Sequence, residues 1–142
     1  MIVAVDMDHT LSHAAWRDEH IAWAMESGDW DYYHQLGIED RPATEIIKLV
    51  VALHNNGDEI YIVTARPRKF LRQTFAWLHS HGILVDEDHI LMRDYNDFQP
   101  AHETKLELTA NLKLDLLIED REDVAQAFNK IGVTVLLAKL VS

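Results

Sequence analysis

Residues 2–10 read Ile2-Val3-Ala4-Val5-Asp6-Met7-Asp8-His9-Thr10. Four apolar residues lead into two carboxylates one residue apart, then a hydroxyl. A run so apolar and β-branched is a buried strand, too short for a helix. In an open α/β sheet, ligands bind beyond the C-terminal ends of the strands, which is where Asp6 and Asp8 fall. Two carboxylates held that close either share a proton or hold a cation.

Downstream, strands and helices alternate. Residues 59–64 (Glu-Ile-Tyr-Ile-Val-Thr), 89–93, 115–118 and 133–138 predict four more short strands. Between them, apolar residues at helical spacing predict helices: Ile46, Ile47, Val50 and Leu53; Leu71, Phe75 and Leu78; Val124, Ala127, Phe128 and Ile131. A further helix follows Pro100, with Lys105 expected in its first turn and Ala110 and Leu112 behind it. Pro42 is expected at the first helical position of the helix after residue 41. Alternation of this kind implies a parallel sheet with right-handed crossovers. Polar clusters fall after strands one (Asp6, Asp8), two (Thr64) and four (Glu119, Asp120). One acidic turn is unremarkable, but three complementary polar clusters point to a shared catalytic or phosphate-binding site at the switch between strands one and four.

Residues 11–41 break the alternation. His13–Glu26 predicts a helix ended by Ser27-Gly28, followed by an aromatic-rich segment from Asp29 to Leu36. This is expected to be a small helical insert beside the end of the first strand. Trp23 is expected in the core. Trp16, Trp30, Tyr32 and Tyr33 could stack a base as readily as pack a core.

The chain of 142 residues is the size of one domain, with 48% hydrophobic residues, enough for a core. No apolar run spans a bilayer, and no signal-like N-terminus is present, so a cytoplasmic protein without membrane contact is expected. The absence of cysteine excludes disulfides and thiolate metal sites. A net charge of −11 disfavours broad nucleic-acid contact, so any such contact has to be local. No obligate protein partner is evident.

These motifs together resemble the haloacid dehalogenase-like (HAD) superfamily of phosphatases over nearly the whole chain. Asp6-Met7-Asp8-His9-Thr10 is similar to the first motif, Thr64 to the second, Lys105 to the third, and Glu119-Asp120 with Asp123 to the fourth. The resemblance implies a Rossmann-like three-layer α/β/α fold with five parallel strands in the order 3-2-1-4-5. It also implies a Mg²⁺-dependent phosphomonoesterase. Asp6 would be the nucleophile and form an aspartyl-phosphate. Asp8 would act as general acid and base. Lys105 and Thr64 would neutralise or bond the phosphoryl oxygens. Mg²⁺ would be held by Asp6, Asp120 and the Asp8 backbone carbonyl, with Glu119 alongside. The superfamily's dehalogenases lack the second aspartate, so Asp8 favours a phosphatase. His9 stands where the family has glycine and is a candidate substrate contact. The Glu-Asp pair stands for the usual Asp-Asp.

A narrower resemblance links Asp29-Trp30-Asp31-Tyr32-Tyr33-His34, Glu39-Asp40-Arg41-Pro42, Thr64-Ala65-Arg66-Pro67, Glu119-Asp120-Arg121 and Ile131-Gly132-Val133 to the 3′-phosphatase domain of phage-type polynucleotide kinases. It implies that Arg17 and Arg66, with Ala65 beside them, bind substrate phosphate. The substrate would then be a polynucleotide 3′-phosphate end or a nucleoside monophosphate. No Gly-x-x-x-x-Gly-Lys-Ser/Thr run accompanies it. The alternatives are a phospho-acceptor receiver module with Asp94 as acceptor, or a catalytically silent phosphate-binding protein. The order of Thr64 before Asp94 counts against the first, and the complete Asp6/Asp8/Lys105/Asp120 set against the second.

Overall fold

The structure, a computed structural model, describes residues 1–141. Among the described residues, seven strands and six α-helices follow one another: β1 (Ile2–Val5), β2 (Ser12–His13), α1 (Ile21–Ser27), α2 (Asp31–Gln35), β3 (Arg41–Pro42), α3 (Thr44–Asn55), β4 (Glu59–Pro67), α4 (Leu71–Ser80), β5 (Ile90–Arg93), α5 (Ala101–Leu108), β6 (Leu116–Glu119), α6 (Glu122–Lys130) and β7 (Thr134–Leu137). The main sheet runs β5-β4-β1-β6-β7, all parallel. Counted over its own five strands this is the expected order 3-2-1-4-5.

Side chains alternate between the two faces of each strand, and both faces are covered. Val3, Val5, Ile60, Ile62 and Ile118 pack with Ile47 and Val50 of α3 and Trp77 and Leu78 of α4. Ala4, Val63 and Leu117 pack on the other face with Val124 and Phe128 of α6, and Leu106 of α5 joins them. β1 is thus the central strand of the middle layer, with no solvent-facing side. Phe128 is fully buried. Truncating it to alanine is expected to cost about 3–5 kcal/mol.

Four local expectations give way. Residues 12–13 and 41–42 form a two-residue antiparallel ribbon, Ser12 opposite Pro42 and His13 opposite Arg41. Pro42 therefore lies in β3, and α3 begins two residues later. For the same reason no helix starts at His13: a 3-10 turn over Ala15–His20 leads into α1. Trp23 is exposed (54%), because α1 is short and buries only Ala24. Lys105 sits in the last turn of α5, not the first, and the helix stops at Leu108, where the Thr109 hydroxyl turns back to the Lys105 carbonyl at 2.8 Å. Ala110 and Leu112 therefore lie beyond it.

Candidate active site

The chain leaves β1 through Asp6, whose amide donates to the Ile118 carbonyl of β6 at 2.9 Å. It then wraps around one acceptor. The Met7 carbonyl takes the amides of Leu11 at 2.9 Å and Ser12 at 3.2 Å. So tight a turn needs a left-handed residue, and His9 supplies it with φ +64°. Glycine is the usual residue there, and histidine tolerates the position better than β-branched side chains do.

The turn presents two carboxylates to two different surroundings. Asp6 is buried, and Lys105 Nζ donates to its Oδ1 at 2.7 Å while the Thr10 hydroxyl donates to its Oδ2 at 2.9 Å. The same ammonium reaches Glu119 Oε2 at 2.6 Å. The other Glu119 oxygen accepts the amides of Asp120 and Arg121 at 3.1 and 3.2 Å. Glu119 is fully buried, so it braces Lys105 and the turn after β6, while the half-buried Asp120 is left facing the cleft.

Asp6, Glu119 and Asp120 each offer an oxygen, all within 4.8 Å of one another. Burial first, then the Asp6 charge, pushes both the Glu119 and Asp120 carboxyls above their usual range. Burial alone would lower Lys105, but Asp6 and Glu119 outweigh it and hold the ammonium charged. Three carboxylates around one ammonium remain short of positive charge. An all-oxygen set with that deficit fits a hard divalent cation.

Asp8 faces the other way. Burial would raise its carboxyl, but Arg66 and then Arg17 hold it far below the usual carboxylate range. Arg66 forks onto it, Nη2 to Oδ1 at 2.6 Å and Nε to Oδ2 at 3.1 Å, and Arg17 Nη2 reaches Oδ1 at 2.5 Å. Both arginines are buried, Arg17 completely. Behind them stands Asp40, also buried. It takes Arg17 Nε at 2.9 Å and Nη2 at 2.7 Å, the Ser12 hydroxyl at 2.9 Å and the Trp16 indole at 2.8 Å. Arg17 also donates to the Tyr33 carbonyl at 3.0 Å and lies 4.6 Å from the centre of its ring. The insert thus supplies the Asp40 and Tyr33 groups that hold Arg17.

Thr64 is buried at the end of the regular part of β4. Its hydroxyl accepts the Arg66 amide at 3.1 Å, which leaves its proton to donate elsewhere. The β4–β5 ladder then slips between Thr64 and Pro67, so Ala65 and Arg66 leave the register. That slip turns Arg66 inward, while the Ala65 carbonyl is taken by Arg93 Nε at 3.0 Å. Of the residues expected at the site, Asp6, Lys105, Glu119 and Asp120 come together, and Asp8, Arg17 and Arg66 form a second group beside them. The Asp8 side chain is outside the carboxylate cluster, and Asp94, the acceptor of the receiver alternative, is an exposed partner of Arg68 and not part of it.

Sequence reasoning gave no role to Asp40 or Gly37. A Cβ on Gly37 would lie 2.9 Å from Arg66 Nη2, so the backbone of the insert rests directly on that guanidinium. Asp40 stood within a quoted segment, but an aspartate before Arg-Pro reads as a loop carboxylate until its partners are known.

Comparison with known proteins gives a family and shared folds. A family model described as the polynucleotide kinase PNKP phosphatase domain matches residues 1–139. A protein of Oceanobacillus iheyensis named "Putative nucleotidase" is 30% identical over 93 residues, covering 64% of this chain and 45% of that protein. A Bacillus cereus protein of the same name is 26% identical over 132 residues, covering 87% and 64%. The chain therefore spans less than two-thirds of either relative. Among solved structures, a chain of the Pnkp1/Rnl/Hen1 complex superposes with a TM-score of 0.79 at 20% identity, over 99% of this chain and 46% of that one. A class C acid phosphatase from Bacillus anthracis with tungstate bound gives 0.68 at 19% identity, over 97% and 65%. At such identities these two share the fold.

Proposed function

Because the chain belongs to the polynucleotide kinase PNKP phosphatase-domain family of HAD-like phosphatases, we propose that it is a Mg²⁺-dependent phosphomonoesterase for nucleotide-type phosphates, with an aspartyl-phosphate intermediate. The observation that carries this reading is Asp6 itself, a buried carboxylate held by Lys105 and Thr10 at the end of the central strand. It is oriented and neutralised enough to meet a dianion.

Asp6 attacks phosphorus and the ester oxygen leaves with the proton that Asp8 delivers. Asp8 then takes a proton from the water that cleaves the acyl-phosphate, and inorganic phosphate departs. Asp6, Asp120 and the Asp8 carbonyl would hold Mg²⁺, which supplies charge stabilisation for the transferring phosphoryl group. Glu119 keeps Lys105 in place, and Lys105 and Thr64 bond the phosphoryl oxygens. Asp8 cannot deliver a proton while two guanidinium groups hold it ionised. On this reading the incoming phosphate takes Arg17 and Arg66 for itself, and the Asp8 carboxyl rises as they leave.

The test is phosphate release from 3′- and 5′-nucleoside monophosphates and a 3′-phosphorylated oligonucleotide, with Mg²⁺ and with EDTA. Hydrolysis that EDTA abolishes, and that Asp6→Asn loses while its unfolding transition stays in place, is the expected result. Full turnover by a folded Asp6→Asn protein would overturn the nucleophile assignment.

A further inference from the structure

Lys105 rides on a helix with little apolar grip. The buried residues of α5 are Ala101, Thr104 and Lys105 itself, and Leu106 and Leu108 pack against the core only partly buried. A short helix normally owes its place to a packed apolar face. Without one, hydrogen bonds decide which way α5 points. Thr104, one residue before Lys105, makes such a bond. Its buried hydroxyl donates to Asp97 Oδ2 at 2.7 Å.

Asp97 lies in the loop between β5 and α5 and is tied down in turn. Its Oδ1 accepts the Gln99 amide at 2.9 Å and the Gln99 side-chain nitrogen at 3.2 Å, and Arg93 Nη1 stands 3.5 Å from the same oxygen. Arg93, the last residue of β5, carries the line onward. Its Nη1 donates to the Gln99 carbonyl at 2.7 Å, and its Nε to the Ala65 carbonyl at 3.0 Å. Ala65 lies in the stretch where the β4–β5 register slips, between Thr64 and Arg66. A guanidinium has donors on more than one edge, so this one side chain spans the two loops.

At one end of this line stands Arg66, which forks onto Asp8, and at the other Lys105, which holds Asp6. Resting on the phosphatase reading above, we propose that Arg93, Asp97 and Thr104 are positioning residues, a strut that sets the spacing of Arg66 and Lys105 across the turn from Asp6 to Asp8. Their bonds go to one another, to Gln99 and to the Ala65 carbonyl, so they act through the two cations. Arg66 and Lys105 have to meet one phosphate from different sides. A misplacement of about 1 Å in such an arrangement costs roughly 100-fold in rate. The Arg93 and Asp97 side chains are 17% and 13% exposed, so water can take over a bond that is cut and the fold survives the cut.

The experiment measures kcat/KM for 4-nitrophenyl phosphate with Mg²⁺, well below the unfolding midpoint of each variant. Thr104→Val keeps the side-chain volume and drops the hydroxyl, and Arg93→Met drops the guanidinium. Each is expected to lower kcat/KM by about 10- to 100-fold. Thr104→Ser, which keeps the hydroxyl, should return to within about threefold of wild type. The double variant should lose no more than about threefold beyond the slower single one, because both changes cut the same line. Thr104→Val within about twofold of wild type, Thr104→Ser as slow as Thr104→Val, or two losses that multiply in the double variant would each overturn the strut. A wild-type protein inert toward the substrate would instead sink the phosphatase reading. Calorimetric titration with inorganic phosphate then decides the strut. Binding weakened about 10-fold by Thr104→Val and restored by Thr104→Ser supports it. Equal binding in all three proteins, or none in the wild type, ends it.

Discussion

Arg17 and Asp40 form a fully buried, two-point pair, Nε to Oδ1 at 2.9 Å and Nη2 to Oδ2 at 2.7 Å, and the same Nη2 also donates to Asp8. Asp40 therefore sets where Arg17 stands without itself facing the cleft. Asp40→Asn keeps the shape but loses the charge. It is expected to destabilise the fold by about 3 kcal/mol, as removal of one buried partner does. It should lower kcat/KM by about 100-fold on every substrate tested. Urea unfolding read beside steady-state kinetics separates the two effects. An intact rate would show that Arg17 does not need this anchor.

Arg17→Lys and Arg66→Lys test the forks themselves. Lysine retains the charge but not the paired N–H groups. Each variant is expected to lose about 10- to 100-fold in kcat/KM, and the alanine variants up to about 1,000-fold, roughly 4 kcal/mol. Arg17→Ala also strands Asp40, so its loss of stability should exceed that of Arg66→Ala. If both lysine variants hydrolyse nucleotides at the wild-type rate, the two arginines serve only the fold.

Gly37→Ala reaches Arg66 without altering any charge. The added methyl group would sit 2.9 Å from Nη2, so the guanidinium must shift from its fork on Asp8. A small change in stability, under about 1.5 kcal/mol, and a larger loss in rate, about 10-fold or more, are expected. Thermal melts and kcat together report it. A variant with unchanged kcat would show that Arg66 tolerates the displacement.

Much of this architecture was legible in the chain. The buried strands announced themselves as apolar runs, and the charged residues at their ends fell where an open sheet binds ligands. What stayed hidden depended on partners distant in sequence. Asp40 meets Ser12 and Arg17, 28 and 23 residues away, and nothing local distinguishes it from a solvated loop carboxylate. The ribbon that captures Pro42 is two residues long, too short to leave any periodicity. Trp23 was misplaced because tryptophan is usually buried, whereas a seven-residue helix had room to bury only an alanine. Lys105 was assigned to the right helix and the wrong turn, an error of one helical rotation.

The proposed Mg²⁺ site can be tested without turnover. Mg²⁺ at about 100 times its dissociation constant should stabilise the protein by about 2.7 kcal/mol. For a chain of this size that is a rise in Tm of about 5–10 °C. Asp120→Asn removes one of three mutually repelling carboxylates. It should melt higher than wild type in EDTA and lose the Mg²⁺ shift. Differential scanning fluorimetry with and without the ion checks both, and a full shift in Asp120→Asn would remove Asp120 from the ligand set.

His34 predicts the acid behaviour of the insert. Its Nδ1 is buried without a hydrogen-bond partner, and burial, helped by Arg66 and Arg17, lowers its pKa from 6.5 to about 4. The unfolded chain therefore takes up a proton near pH 6.5 that the folded chain refuses until about pH 4. Stability is complete above the higher value and falls as the pH drops between the two. Relative to His34→Phe, which fits beside Trp30, Tyr33 and Phe70, the wild type should lose about 2 kcal/mol between pH 7 and pH 5. Parallel urea titrations at the two pH values measure the difference. Equal slopes in both proteins would mean that His34 is not the sensor.

The central place of β1 also orders events during synthesis. Its neighbours in the sheet are β4 and β6, and Lys105 reaches Asp6 across 99 residues. β1 thus gains its second flank only once β6, from Leu116, has emerged, and β6 in turn waits for β7. Until then the nascent chain carries an apolar strand with one open edge and a carboxylate without its ammonium. Pausing before residue 119 would prolong that state, and chaperone capture in the cell should concentrate on chains of intermediate length.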